Sequence, residues 1–119
     1  PCAVAAGLAM QDIFEKEDLI NRSKEMSPYF LDGLFTLKDI DGVTDIRGYG
    51  MMGGIDLRTD ERPGKAGYNC FKSLFAAGLS LKATGDCLIV APPFISEKKH
   101  IDEIIDKLRT GITNYFKEQ

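Results

Sequence analysis

Residues 79–94, LSLKATGDCLIVAPPF, fit a strand, a tight turn, a second strand and a stop into one short stretch. Leu79, Leu81 and Ala83 alternate with Ser80, Lys82 and Thr84, the period of a strand with one apolar and one polar face. After the Gly85-Asp86 turn, Cys87-Leu88-Ile89-Val90 is apolar throughout and reads as a strand buried on both faces. Pro92 and Pro93 carry no backbone N–H, so the ladder ends there and the chain leaves the sheet. Lys82 is the lone cation on the polar face of this hairpin. It is a candidate anion contact, although most strand lysines are simply solvated.

The chain of 119 residues is one domain's worth, long enough for a real core. Its 44% hydrophobic and 28% charged residues are ordinary for a soluble globular domain. A net charge of −3 gives no broad electrostatic reason to bind nucleic acid or an acidic membrane. No apolar run approaches the roughly 20 residues that span a bilayer, and the first residues lack the pattern of a signal peptide. A soluble, cytoplasmic protein is expected. The three cysteines, Cys2, Cys70 and Cys87, form no CxxC pair and read as reduced core residues, and one histidine without ligand spacing argues against a metal site. The chain opens on Pro1 instead of Met, directly into a helical run, and the expectation is the tail of a longer protein.

Working outward from the hairpin, residues 2–15 suit a helix buried over most of its surface, in which Gly7 marks close packing. A second helix is expected from Glu17 or Asp18 to about Leu37. Its apolar stripe is Leu19, Ile20, Met26, Tyr29, Phe30, Leu34 and Leu37, and Pro28 predicts a kink or short break. After a turn at 39–42 come VTDIRGYG and MMGGIDLR, strand-like runs joined by a glycine-rich bend. TDERPGKAG, residues 59–67, is a polar loop. Tyr68 to Ala77 reads as a short helix closed by Gly78. Ser96 is placed to cap a final helix whose stripe is Ile101, Ile104, Ile105, Leu108, Ile112, Tyr115 and Phe116. This order implies an α+β domain: a small antiparallel or mixed sheet with helices packed on it.

Several motifs invite chemistry that their context denies. Gly48-Tyr49-Gly50-Met51-Met52-Gly53 matches GxGxxG, but a dinucleotide site needs a helix to start on it, and here a strand-like alternation follows. A glycine-rich bend with close backbone packing is the better account. His100 reads as a solvated helix residue, since no second histidine or neighbouring nucleophile accompanies it. Asp102, Glu103 and Asp106 read as the exposed face of the same helix, and Met10, Met26, Met51 and Met52 as core packing.

Taken together, PCAVAAGLAMQDIF, DIRGYGMMGGIDLR and LSLKATGDCLIVAPPFIS resemble the C-terminal segment of class III pyridoxal-phosphate-dependent aminotransferases. The likeness is best to the omega-amino acid:pyruvate group and covers essentially the whole chain, in the same order and with similar gaps. It implies that residues 1–119 are the small C-terminal domain of a fold-type-I pyridoxal-phosphate-dependent transferase. Pro1 looks like the proline of the family's Ser-x-His-Pro element. The lysine that holds the cofactor, and the residues that grip its phosphate, would then precede this chain, leaving no catalytic, cofactor-binding or metal residue within it. Such a piece alone is expected to be inactive and free of pyridoxal phosphate. The resemblance further implies an enzyme that moves an amino group from an amine or omega-amino acid to a 2-oxo acid such as pyruvate, as a homodimer. In the family, an arginine ahead of the x-x-Gly-Asp turn often pairs with the substrate carboxylate. Lys82 stands at that position, offering a mobile point charge in place of a two-pronged guanidinium. Two alternatives stay open: a stand-alone noncatalytic binding or assembly module, and an aminomutase or decarboxylase of the same fold.

Overall fold

The computed structural model describes residues 1–59 and 61–118; Asp60, within the loop expected at 59–67, lies outside the described residues. Its elements are α1 (Cys2–Lys16), α2 (Leu19–Phe35), a 3-10 turn (Thr36–Asp39), β1 (Val43–Tyr49), β2 (Met52–Leu57), α3 (Lys65–Ala76), β3 (Lys82–Thr84), β4 (Cys87–Val90) and α4 (Lys98–Lys117). The strands form one antiparallel sheet in the order β1-β2-β4-β3. The hairpin is as the sequence reads: Thr84 faces Cys87, and Gly85 turns the chain at a φ of 58°. The α+β expectation holds, with the sheet antiparallel throughout.

Register decides which side chains enter the core. Ile46, Ile55, Leu88 and Ala83 lie in one row across the sheet, and Asp45, Asp56, Cys87 and Thr84 lie in the row on the opposite face. The first row meets Phe30 and Leu34 of α2, Cys70 and Leu74 of α3, and Ile101, Leu108 and Ile112 of α4 in a single buried cluster. Helices cover one face only. Leu88 and Val90 of β4 are therefore buried while Cys87 and Ile89 are part-exposed, so the strand is not buried on both faces as its unbroken apolarity suggested.

The GxGxxG stretch is a strand end, a tight turn and a strand start, with no helix on it. Gly48 pairs with Gly53 across this hairpin, and a Cβ on Gly53 would collide with Leu34 Cδ2, so the motif lets α2 lie close beneath the sheet. The C-terminus of α3 closes on Gly78 as expected: Gly78 N–H donates to the Phe75 carbonyl and Leu79 N–H to the Leu74 carbonyl, a Schellman pair.

Other expectations need correction. α1 buries none of its residues, and Val4 and Leu8 are 66% and 65% exposed. Apolarity reported a surface that needs covering, but within the chain α1 is held near its C-terminal end, where the Phe14 ring meets Phe94 edge-on at 5.8 Å. The radius of gyration is accordingly 16.0 Å, against about 13.5 Å for a compact domain of this length. Gly7, Met10 and Cys2 belong to this exposed helix, a Cβ on Gly7 meets nothing, and Met52 is exposed on the open side of the sheet. α2 runs unbroken through Pro28, which lies on an exposed side where water can meet the carbonyl the proline leaves without a donor. α4 is capped at Glu97 instead of Ser96; the Glu97 N–H donates to His100 Nδ1 at 3.0 Å, while Ser96 is buried. His100 is thus exposed, as expected, but also helps to cap its helix.

The Gly53–Leu34 contact yields a specific expectation. Gly53→Ala should cost about 1–3 kcal/mol by overpacking, and much less in a Leu34→Ala background, where the colliding methyl is gone. Urea unfolding of the single and double variants measures this coupling; equal costs in both backgrounds would refute the close-packing account.

Candidate functional site

The Gly85-Asp86 turn is a point of attachment as well as a reversal. The N-terminus of α3 lacks a side-chain cap of its own, because Gly64 occupies that position. Asp86 supplies one from across the fold: its Oδ2 accepts from Gly64 N–H at 3.0 Å and its Oδ1 from Gly67 N–H at 3.1 Å. A carboxylate at this helix end meets both the unpaired donors and the positive end of the helix dipole. Burial alone pushes the Asp86 carboxyl up. The bonds it accepts from Gly64 and Gly67, and from Thr59 and Ala66, outweigh burial and hold it below the usual carboxylate range. The Asp86 carbonyl also accepts from Leu57 N–H at 2.8 Å, tying the turn to β2. Gly67 lies so close beneath that a Cβ there would overlap the Gly85 carbonyl oxygen. This long-range cap explains why α3 begins at Lys65, before the Tyr68 start read from the sequence.

Lys82 opens the edge strand β3, opposite Ile89. Its side chain is exposed and has no hydrogen-bond or ionic partner among the described residues. It helps line an open groove of about 370 Å³ with Gly64, Tyr68, Phe71, Leu81, Ala83 and Gly85. Lys82 shares the open face of the sheet with Thr84, and the groove at this edge also takes in two aromatic residues of α3. A second ammonium stands at the same groove, where Lys72 Nζ lies 5.3 Å from the centroid of the Tyr68 ring.

Nearby cations differ in being committed. Arg47 on β1 grips Asp56 with two hydrogen bonds, the longer 3.0 Å, and reaches Asp45 at 3.0 Å. The Arg47 bonds hold the Asp56 carboxyl below its usual range, with burial opposing. Arg58 pairs with Asp41 at 3.0 Å and sits over the Phe116 ring. Arg22 donates to the carbonyls of Phe94, Ile95 and Ser96, fixing the segment after Pro92-Pro93 onto α2. These guanidiniums are occupied by protein acceptors and do not fit the phosphate of pyridoxal phosphate. Of the thiols, burial pushes Cys70 up to about 12, and burial, with Asp56 beside it, raises Cys87. Neither has the thiolate character of a nucleophile. Asp102, Glu103 and Asp106 are exposed, as expected, though Asp102 also accepts from the Tyr29 hydroxyl.

Sequence reasoning singled out Lys82 and treated Asp86 only as a turn residue. The one available signal was an acidic residue in a tight turn, and nothing local shows that its acceptors would find α3.

A family model described as Aminotransferase class-III matches residues 1–112. The omega-aminotransferase of Caulobacter vibrioides is 36% identical over 112 residues, which is 92% of this chain and 25% of that protein. The omega-amino acid--pyruvate aminotransferase of Pseudomonas putida is 33% identical over 111 residues, 89% of this chain and 24% of that one. Among solved structures, a transaminase with L-alanine matches with a TM-score of 0.91 at 27% identity, covering 99% of this chain and 30% of that chain. The adenosylmethionine-8-amino-7-oxononanoate aminotransferase of Methanocaldococcus jannaschii gives 0.83 at 34% identity, covering 92% and 26%. The chain spans about a quarter of the length of the curated relatives it matches.

The Asp86 cap makes stability depend on pH with a definite sign. A carboxyl depressed in the folded state contributes stability above its unfolded pKa of about 3.9, and that contribution is lost as pH falls through the lower folded value. Asp86→Asn should cost about 2 kcal/mol at pH 7 and leave a shallower loss of Tm between neutral and acid pH than the native chain shows. Parallel Tm–pH curves for the two would remove the charged cap from the account.

Proposed function

Because the chain belongs to the class-III aminotransferase family, we propose that it serves as the C-terminal small domain of a longer pyridoxal-phosphate-dependent transaminase. That enzyme moves an amino group from an amine or omega-amino acid to a 2-oxo acid such as pyruvate, and acts in the cytoplasm as a homodimer. Family membership and the quarter-length span support this reading, as do relatives named for omega-amino acids. Among the described residues no helix is long and apolar enough to cross a membrane.

The observation that carries this chain's own part is Lys82, exposed, without a side-chain partner among the described residues, and lining a groove with Tyr68 and Phe71. Pyridoxal phosphate, when bound, supplies the electron sink for amino-group chemistry. No residue of this chain is proposed to hold it. Lys82 binds the substrate carboxylate as a point charge, and the aromatic side of the groove receives the carbon chain and limits water around the pair. A single ammonium orients a carboxylate less strictly than a guanidinium, so the reading predicts tolerance in the distance between amine and carboxylate.

In the full-length enzyme, Lys82→Ala should raise KM for a carboxylate-bearing substrate about tenfold with a smaller effect on kcat, and Lys82→Arg should restore much of the loss. Unchanged steady-state kinetics in Lys82→Ala would end the carboxylate role. For the larger reading, the natural protein should show the visible absorbance of a lysine-linked pyridoxal phosphate, trapped by borohydride on a lysine outside these 119 residues. A natural product that begins near Pro1 and binds no pyridoxal phosphate would point to a noncatalytic binding or assembly module.

A further inference from the structure

We propose that Asp86 is a positioning residue for Lys82: by capping α3 from the hairpin turn, it sets where the Lys82 ammonium stands against the groove. The proposal rests on the assignment of Lys82 to the substrate carboxylate.

The ladder that holds Lys82 is short. β3 has three residues and is an edge strand, paired on one side only, through Lys82 to Ile89, Ala83 to Leu88 and Thr84 to Cys87. Beyond this short ladder, Leu81 and Ala83 on either side of Lys82 pack part-buried against the core. The opposite wall of the groove is α3, which contributes Gly64, Tyr68 and Phe71. Hairpin and helix are joined at the turn that follows the Lys82 strand. The joint is polar and specific: Asp86 accepts from Gly64 and Gly67 N–H, and Gly64 itself lines the groove. Gly67 completes it from the helix side, since any larger residue would drive against the Gly85 carbonyl oxygen and lift the turn off the helix. The same bonds engage both Asp86 oxygens with the helix end, so this carboxylate does not compete with a substrate carboxylate for Lys82. Displacements of about 1 Å in a binding group are enough to cost up to a hundredfold in rate. The joint beside the groove is thus a sensitive place to set the geometry.

The test uses the full-length holoenzyme and a ratio that does not depend on how much protein folds. The amine half-reaction is followed by cofactor absorbance with 3-aminopropanoate and with propylamine, and kcat/KM for the first is divided by that for the second. A purely structural role lowers both values together and leaves the ratio unmoved. Asp86→Asn should lower the ratio about tenfold, in the same direction as Lys82→Ala. Gly67→Ala, which keeps the carboxylate but lifts the turn, should lower it as well. In the Lys82→Ala background, Asp86→Asn should lower it no further, because the ammonium to be positioned is gone. If Lys82→Ala lowers the ratio while Asp86→Asn and Gly67→Ala leave it intact, positioning by Asp86 is wrong and the Lys82 assignment survives. Additive effects in the double variant would likewise overturn it. A ratio unmoved by Lys82→Ala would instead remove the Lys82 assignment, and this proposal with it.

Discussion

One carboxylate joins the parts of this fold that sequence separates. Asp86 meets the open end of α3 through Gly64 and Gly67, while its carbonyl closes onto Leu57 at the end of β2. Helix, hairpin and central sheet share this residue. Capping bonds and a favourable dipole offset the burial of the charge, which is why the carboxyl stays ionised where desolvation opposes it. The start of α3, which borders the groove, takes its position from this junction.

The division of labour among the cations follows the same physical line. Arg22, Arg47, Arg58 and Arg109 spend their donors on carbonyls and carboxylates of the chain itself. Guanidiniums suit such fixed, multi-pronged contacts. Lys82 stands apart as an ammonium with no such partner among the described residues, on a strand end beside two aromatic rings. The groove pairs this lysine with an aromatic wall on which Lys72 also rests, over the Tyr68 ring.

Periodicity made much of the architecture legible. The hairpin at 82–90, the β1–β2 pair, the Gly78 helix end and the α4 stripe all follow from local alternation, turn residues and 3.6-residue spacing. Lys82 could be singled out because a lone cation on an alternating strand is a local pattern. What the sequence did not disclose depends on partners distant along the chain. α3 starts early because Asp86 lies 22 residues from Gly64 and still caps it. The cap of α4 moved to Glu97 because His100 turns back on it and Arg22 occupies the carbonyls just before. The burial of α1 and of both faces of β4 was overstated for one reason. Apolar content measures the tendency to be covered, whereas coverage also requires another element within reach, and the helices of this chain cover one sheet face.

The strand order β1-β2-β4-β3 also bears on how the chain acquires its structure. Both hairpins close between near neighbours, yet the interior seam pairs Gly53 with Val90 and Asp56 with Cys87, across a segment that contains all of α3. Local closures are entropically cheap and long ones are not. The seam is thus the part of the sheet with the highest contact order. Leu57 and Asp86 sit at the mouth of that seam, so the residue that caps α3 also lies where the two halves of the sheet are joined.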